Sequence, residues 1–245
     1  MGGGAARGFA HVGVIGVLDR EGIPIDFIAG TSAGSLVGAA YAAGLRSQEL
    51  LELALSLRWR DLGRPVWRRR GFVSFEKLEM WLIDTLGDLT FADLHIPYAA
   101  VAAEMATAEQ VVLQRGRLAR AVRASCSIPG IVVPAEIDGR LLSDGGVINN
   151  LPISVVRELG ADIVISVGLS SPPGRVPKNA LQMGVAAVDC LLIHAGDKPA
   201  TADVHLPIPM WGLASLISTS RRHRFIALGQ QIAEAALPAI RAAIE

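Results

Sequence analysis

The sequence predicts an α/β fold, a three-layer sandwich in which helices flank a mostly parallel central sheet. Short apolar runs of strand length alternate with segments of helical period along most of the 245 residues. One such run, Ile25–Ala29, leads straight into a small-residue turn, GTSAGS, and then a helical segment. With 51% hydrophobic and 19% charged residues the chain can bury a sizeable core. Its length suits one large domain spanning 1–245, with a motif-bearing core over 2–169 and a helical completion over 170–245.

The elements follow in order. Phe9–Arg20 carries apolar residues at helical spacing and stops at Gly22-Ile23-Pro24. After GTSAGS, Leu36–Ala43 is a small-residue helix ended by Gly44, and Gln48–Leu57 is another, with Ser47 as its N-cap. The run 58–73 breaks the pattern, with six Arg against one Asp and two Trp. Helix returns at Phe75–Leu86. Tyr98–Ala103 and Gln110–Leu113 read as strands joined by a turn near Thr107, and Arg117–Ser125 as a helix ended by Ile128-Pro129-Gly130. Ile131–Ile137 and Leu141–Leu142 flank the hairpin signal Asp138-Gly139. Ile153–Leu159 is helical, Asp162–Leu169 a strong strand, and a short strand surrounds Val204. Helices near Ala180–His194 and Arg222–Ile244 complete the pattern; Ser170–Lys178, with three Pro, is the one candidate linker.

Composition removes several classes of function. Equal numbers of basic and acidic residues, 23 each, argue against nucleic acid as a partner. Three of the basic residues are Lys and the rest Arg, a usage that codon bias or an arginine-selective anion site would each produce. Cys126 and Cys190 make no disulfide framework and no metal spacing, and both read as buried thiols; no metal or cofactor is expected. MGGGAARG lacks the pattern of a signal peptide, so the expectation is a cytoplasmic protein, peripheral to membranes at most. Phe27–Leu45 is uncharged, but its glycines and changing pattern mark strand, turn and helix rather than a membrane span.

Chemistry concentrates in three places. Gly30-Thr31-Ser32-Ala33-Gly34 is G-x-S-x-G between a strand and a helix, the context of a nucleophile elbow. A sharp turn lifts the serine from the sheet, and Gly30 and Gly34 leave room for it. The plainer reading is a tight turn in which Ser32 only caps the helix. A serine hydroxyl needs a base. Of five histidines, His11 is spaced for packing inside the first helix, and none of the others sits in a motif. Asp144-Gly145-Gly146 follows a short strand and offers a carboxylate on a flexible turn, although such a turn is also common without function. Gly2-Gly3-Gly4-Ala5-Ala6-Arg7-Gly8 opens a helix and exposes backbone N–H groups. They suit an oxyanion better than a nucleotide phosphate, since no GK[ST] follows.

Together these stretches resemble the patatin-like phospholipase family, especially its bacterial members. The resemblance runs through GGGAARGFAHVGVI, GTSAGSLVGAAYAAGL, ASCSIPGIVVPAEIDGRLLSDGGVINNLP and ELGADIVISVGL, most of residues 2–169. It implies a serine acyl hydrolase acting on lipid esters of the lysophospholipase or phospholipase A kind, without a cofactor. Ser32 would be the nucleophile and Asp144 the base of a dyad, with Gly3, Gly4 and Ala5 forming the oxyanion hole. Arg7, Gly8, Gly30, Gly34, Gly145 and Gly146 would support these motifs.

The sequence departs from the family pattern in two ways. Ala5 stands where the family has a third glycine, which stiffens the loop if that position needs positive φ. The family's glycine loop also follows a strand, whereas here it follows Met1; the expectation is either a truncated or misassigned start that leaves a sheet edge open, or another element covering the gap.

The run 58–73 suggests peripheral contact with anionic membrane, Trp59, Trp67 and Phe72 entering the interface and Arg68, Arg69 and Arg70 meeting head groups. A solvated loop whose tryptophans fold onto the core is the alternative. Two other functional readings stay open: an α/β-hydrolase triad using His194, His205 or His223, and a lipid-binding pseudoenzyme.

Overall fold

A computed structural model describes residues 1–68, 70–169, 176–209 and 219–245. Arg69 and residues 170–175 of the candidate linker lie outside the described residues, as do the side chains of Trp59 and Arg68. The first helix is α1 (Phe9–Arg20), followed by β1 (Ile28–Thr31), α2 (Ala33–Ala42) and α3 (Ser47–Ser56). The arginine-rich run forms a short helix, α4 (Trp59–Leu62), and a hairpin of β2 (Arg64–Arg68) with β3 (Gly71–Ser74), leading to α5 (Glu76–Leu86). Then come β4 (Tyr98–Glu104), β5 (Gln110–Leu113), α6 (Leu118–Ser125), β6 (Ala135–Ile137), β7 (Arg140–Asp144) and α7 (Ile153–Glu158). β8 (Ile165–Gly168), α8 (Ala180–His194), β9 (Val204–Pro207) and α9 (Arg222–Ile244) complete the order.

The central sheet is mixed rather than mostly parallel. β1 pairs with β4 in parallel, but β5 and β7 pair with β4 antiparallel, and β6 pairs with β7 antiparallel. The cause is local. Asp138-Gly139 and the turn at 105–109 are too short for a crossover, so each folds its strands back on themselves.

Every residue of β4, YAAVAAE, is buried, because helices cover both sides of it. Tyr98 and Ala100 pack with Ile28 of β1, Ala39 of α2 and Val122 of α6. Ala99 and Val101 face the other way, against Ala29 and Val155 of α7. A second apolar cluster joins α1, α3 and α9 to β8 and β9. There α1 and α9 cross so closely that a Cβ on Gly13 would fall 2.1 Å from Ile226 O, and one on Gly229 2.1 Å from Ala10 O.

β8 and β9 form their own parallel pair, and Met1-Gly2 links it to β1. The Met1 nitrogen donates to Ala29 O at 2.8 Å, Thr31 N–H donates to Met1 O at 3.1 Å, and Gly2 N–H donates to Val167 O at 2.9 Å. At this level Met1-Gly2 itself spans the gap between β1 and β8. The uncharged stretch Phe27–Leu45 divides into β1 and α2, and no described helix is long and apolar enough to cross a membrane.

Candidate active site

β1 and β7 meet end to end along one edge of β4. β1 pairs with Tyr98–Val101, Thr31 lying opposite Val101, and β7 takes over at once, Asp144 lying opposite Ala102. The hydrogen bonds show that the edge is shared. Ile28 N–H reaches Pro97 O and Met105 N–H reaches Leu141 O, whereas Glu104 N–H turns away to Glu109 O beside β5. One strand arrives parallel to β4 and the other antiparallel, so the residue after β1 faces the last residue of β7.

That residue is Ser32. It sits in the turn between β1 and α2 at φ 53° and ψ −124°, a conformation that costs a non-glycine residue about 1–3 kcal/mol. Its N–H donates to Ser125 Oγ at 2.9 Å, and that hydroxyl donates to Val101 O at 2.6 Å. The turn leaves no space at Gly30, where a Cβ would fall 2.5 Å from Gly34 O. Gly34 packs on Met1 O.

Ser32 Oγ donates to Asp144 Oδ2 at 2.6 Å, and Gly146 N–H donates to Asp144 Oδ1 at 2.8 Å. Both Ser32 and Asp144 are buried. Burial raises the Asp144 carboxyl to about 6, against the two hydrogen bonds, which favour its ionised form. Gly145 lies against β4, where a Cβ would fall 2.4 Å from Val101 O.

The glycine loop reaches the same place. A Cβ on Gly3 would lie 3.0 Å from Ser32 Cβ, which puts the loop backbone against the serine. The Gly3 N–H is committed to Asn150 O at 3.1 Å. Those of Gly4 and Ala5 have no acceptor among the described residues. Ala5 has φ 49°, so the condition under which an alanine there stiffens the loop is met. Arg7 is buried and its Nη1 donates to Leu169 O at 3.4 Å, tying the loop to the end of β8; Gly8 packs on Ala33.

Three neighbours of the site lie within the resemblance but were given no part in the site by sequence. Ser125 holds the Ser32 amide, and Asn150 holds Gly3. His11, fully buried, places Nε2 2.8 Å from Gly2 O; a carbonyl only accepts, so Nε2 carries the proton. The helical period gives His11 a packing role but carries no sign of its bond to Gly2 O, nine residues earlier in the chain. No described histidine bonds to Ser32 or Asp144; His205 instead meets Ser166 Oγ at 2.8 Å. Cys126 is buried as expected, but Cys190 is exposed because α8 turns most of its described residues to solvent.

Beside Ser32 an apolar chamber of about 120 Å³ runs between α2, α3 and α5. Leu36, Leu53, Leu62, Phe75, Leu78 and Trp81 are among its walls. A hydroxyl bonded to a buried carboxylate, at the end of an apolar chamber and beside main-chain donors that have no acceptor among the described residues, is an arrangement suited to acyl transfer in a hydrophobic substrate.

The chain belongs to the patatin-like phospholipase family, whose family model matches residues 1–157. An NTE family protein of Mycobacterium tuberculosis is 42% identical over 173 residues, covering 69% of this chain and 48% of that protein. Lysophospholipase NTE1 of Saccharomyces cerevisiae is 32% identical over 186 residues, 72% of this chain and 11% of the yeast protein. The chain thus spans about half the length of the mycobacterial relative and a small part of the yeast one. Among solved structures, VipD from Legionella pneumophila superposes with a TM-score of 0.57 at 12% identity, covering 98% of this chain and 66% of VipD. The type III effector ExoU gives 0.50 at 13% identity, covering 98% and 52%. At such identity these two likenesses concern the fold alone.

Proposed function

We propose that this protein is a serine acyl hydrolase that cleaves carboxylic esters of lysophospholipids, phospholipids or related lipids. The observation that carries the reading is the 2.6 Å bond from Ser32 Oγ to Asp144 Oδ2 at the end of an apolar chamber. Membership of a phospholipase family and the likeness to a yeast lysophospholipase support a lipid ester as substrate.

In the proposed reaction Ser32 Oγ attacks the ester carbonyl while its proton passes to Asp144. The tetrahedral oxyanion accepts hydrogen bonds from Gly4 and Ala5 N–H, each good donor lowering the barrier by about 3–4 kcal/mol. Gly3, its own N–H held by Asn150 O, sets the position of those two donors. The positive end of α2 adds to the same field. The alcohol leaves with the proton from Asp144. Water then gives a proton to Asp144 and attacks the acyl-enzyme, releasing the fatty acid and restoring Ser32. The acyl chain occupies the chamber. Arg7, Gly8, Gly30, Gly34, Gly145 and Gly146 hold the three segments at contact distance, and anionic lipid surfaces are the partner this reading gives the run 58–73.

A panel of ester substrates given to the purified protein, Ser32→Ala and Asp144→Asn tests the reading. Both variants should lose more than about a thousandfold in kcat. A Ser32→Ala protein as active as its parent, or a parent that turns over no ester and leaves Ser32 unlabelled by a fluorophosphonate, would refute it.

A further inference from the structure

The hairpin of β2 and β3 stands on the rim of the apolar chamber. Its two feet are chamber wall: Leu62 comes just before β2 and Phe75 just after β3, and both are buried. Gly63 closes the base, where a Cβ would fall 2.9 Å from Val73 Cγ1. The far end is the opposite. Trp67 is 95% exposed and Phe72 60%, their rings meeting edge to face with centroids 6.3 Å apart.

Ile131, 53% exposed, joins them, because its carbonyl accepts the N–H groups of both Phe72 and Val73 at 2.9 and 3.0 Å. Three large apolar side chains thus crown an element whose base opens on the chamber. Keeping them in water is unfavourable in proportion to their exposed apolar surface, a cost that a covering partner would remove.

The charge around them selects the partner. Residues 58–77 contain seven basic side chains and two acidic ones. Arg64 pairs with Glu76 at 2.6 Å and Arg60 stands 3.8 Å from Asp61. Arg58 and Arg70, both exposed, have no ion pair among the described residues. Aromatic side chains at a tip, with exposed guanidinium groups that have no ion pair among the described residues, match an anionic lipid surface, apolar within and negative at its face.

We infer that this hairpin docks the protein on anionic lipid surfaces. Trp67, Phe72 and Ile131 enter the acyl boundary, while Arg58 and Arg70 meet the head groups. An acyl chain then passes along the hairpin's feet into the chamber without crossing bulk water. The route rests on the lipid-ester reading of Ser32 and Asp144; the docking itself is measurable without it.

Binding is read with Ser32→Ala, which leaves vesicles intact, by co-sedimentation with phosphatidylcholine vesicles with and without phosphatidylglycerol. The protein should prefer the anionic vesicles and release them as salt rises. In that background Trp67→Ser with Phe72→Ser should weaken binding about tenfold or more. Arg58→Ala and Arg70→Ala should each weaken it about fivefold, on anionic vesicles only. In the active protein the aromatic pair of changes should lower turnover of vesicle lipid and leave a soluble short-chain ester nearly unaffected. All four side chains are exposed, so folding is not at issue. Unchanged vesicle binding by the aromatic double variant overturns the inference, as does a solution dimer that shields Trp67. Absence of soluble-ester turnover in every form would instead count against the hydrolase reading, with the sedimentation result still deciding the docking.

Discussion

The main-chain N–H of Ser32 and the hydroxyl of Ser125 lie 2.9 Å apart, and the same hydroxyl reaches Val101 O at 2.6 Å. Ser125 thus fastens a positive-φ residue to the central strand through a hydroxyl that donates once and accepts once. Removing it leaves a buried N–H and a buried carbonyl unpaired. Ser125→Ala should therefore lower stability by about 1–3 kcal/mol, read from denaturant unfolding. It should also lower kcat on a soluble ester more than it changes KM, since it loosens Ser32 without touching the chamber. Wild-type kinetics in this variant would show that the strained turn holds itself.

Asp144 should set the pH dependence. Its carboxyl is raised by burial from its ordinary 3.8 to about 6, and only the ionised form accepts a proton from Ser32. The value of kcat/KM should fall as pH drops through about 6 and level off above it. The stability consequence has the opposite sense. A carboxyl whose native pKa exceeds its unfolded one contributes stability that is complete below 3.8 and lost as pH rises through about 6, some 3 kcal/mol in all. Asp144→Asn has the same shape and no charge; its amide N–H can donate to Ser32 Oγ. It should be inactive and yet unfold at a higher temperature than the parent at pH 8, a margin that narrows toward pH 4. Equal melting temperatures at pH 8 would show that the carboxylate is not strained by burial.

Much of this site can be read from sequence because its motifs impose local geometry. Ile28–Thr31, the turn at Ser32 and α2 are written in a run of small residues that only a strand–turn–helix accommodates. What the sequence conceals is register. That Ser32 meets Asp144 follows from β1 ending opposite Val101 and β7 ending opposite Ala102, a relation between segments about a hundred residues apart. The hairpin of β2 and β3 was hidden because its arginines and Pro65 mask strand alternation. The strand expected over Ile131–Ile137 shrinks to Ala135–Ile137, since Pro134 has no N–H and Val133 already donates to Val73 O. Ser125 and Asn150 lie within a stretch that carries the family resemblance, yet nothing in it marks either for a role. Their roles exist only once three distant segments are packed together.

Ala5 gives a test of loop strain. At φ 49° an alanine is disfavoured by about 1–2 kcal/mol, while glycine there adds about 0.4–1 kcal/mol of unfolded-state entropy. The difference favours Ala5→Gly slightly. That variant should be as stable as the parent or more so by about 0.5 kcal/mol, and should remain active because its N–H is kept. Destabilisation by more than about 1 kcal/mol, the usual outcome for Ala→Gly in a helix, would show that the loop is relaxed as it stands.

His11 is the residue by which a positioning role can be separated from a catalytic one. It is buried, burial pushes its imidazole down to about 3, and its Nε2 lies 2.8 Å from Gly2 O. A neutral ring of that kind does not titrate where the enzyme would work, so it should leave no inflection in the pH profile. Its bond fixes the peptide between Gly2 and Gly3, one residue before the Gly4 N–H proposed as an oxyanion donor. His11→Phe keeps the ring's bulk and deletes the bond, which should lower kcat about ten- to a hundredfold by displacing the loop. KM should stay nearly constant, and the inflection near 6 set by Asp144 should persist. His11→Gln, whose amide N–H can reach the same carbonyl, should recover much of the rate. If His11→Phe abolished the inflection itself, the histidine would be sharing the proton of Ser32, and the carboxylate could no longer be regarded as the sole base.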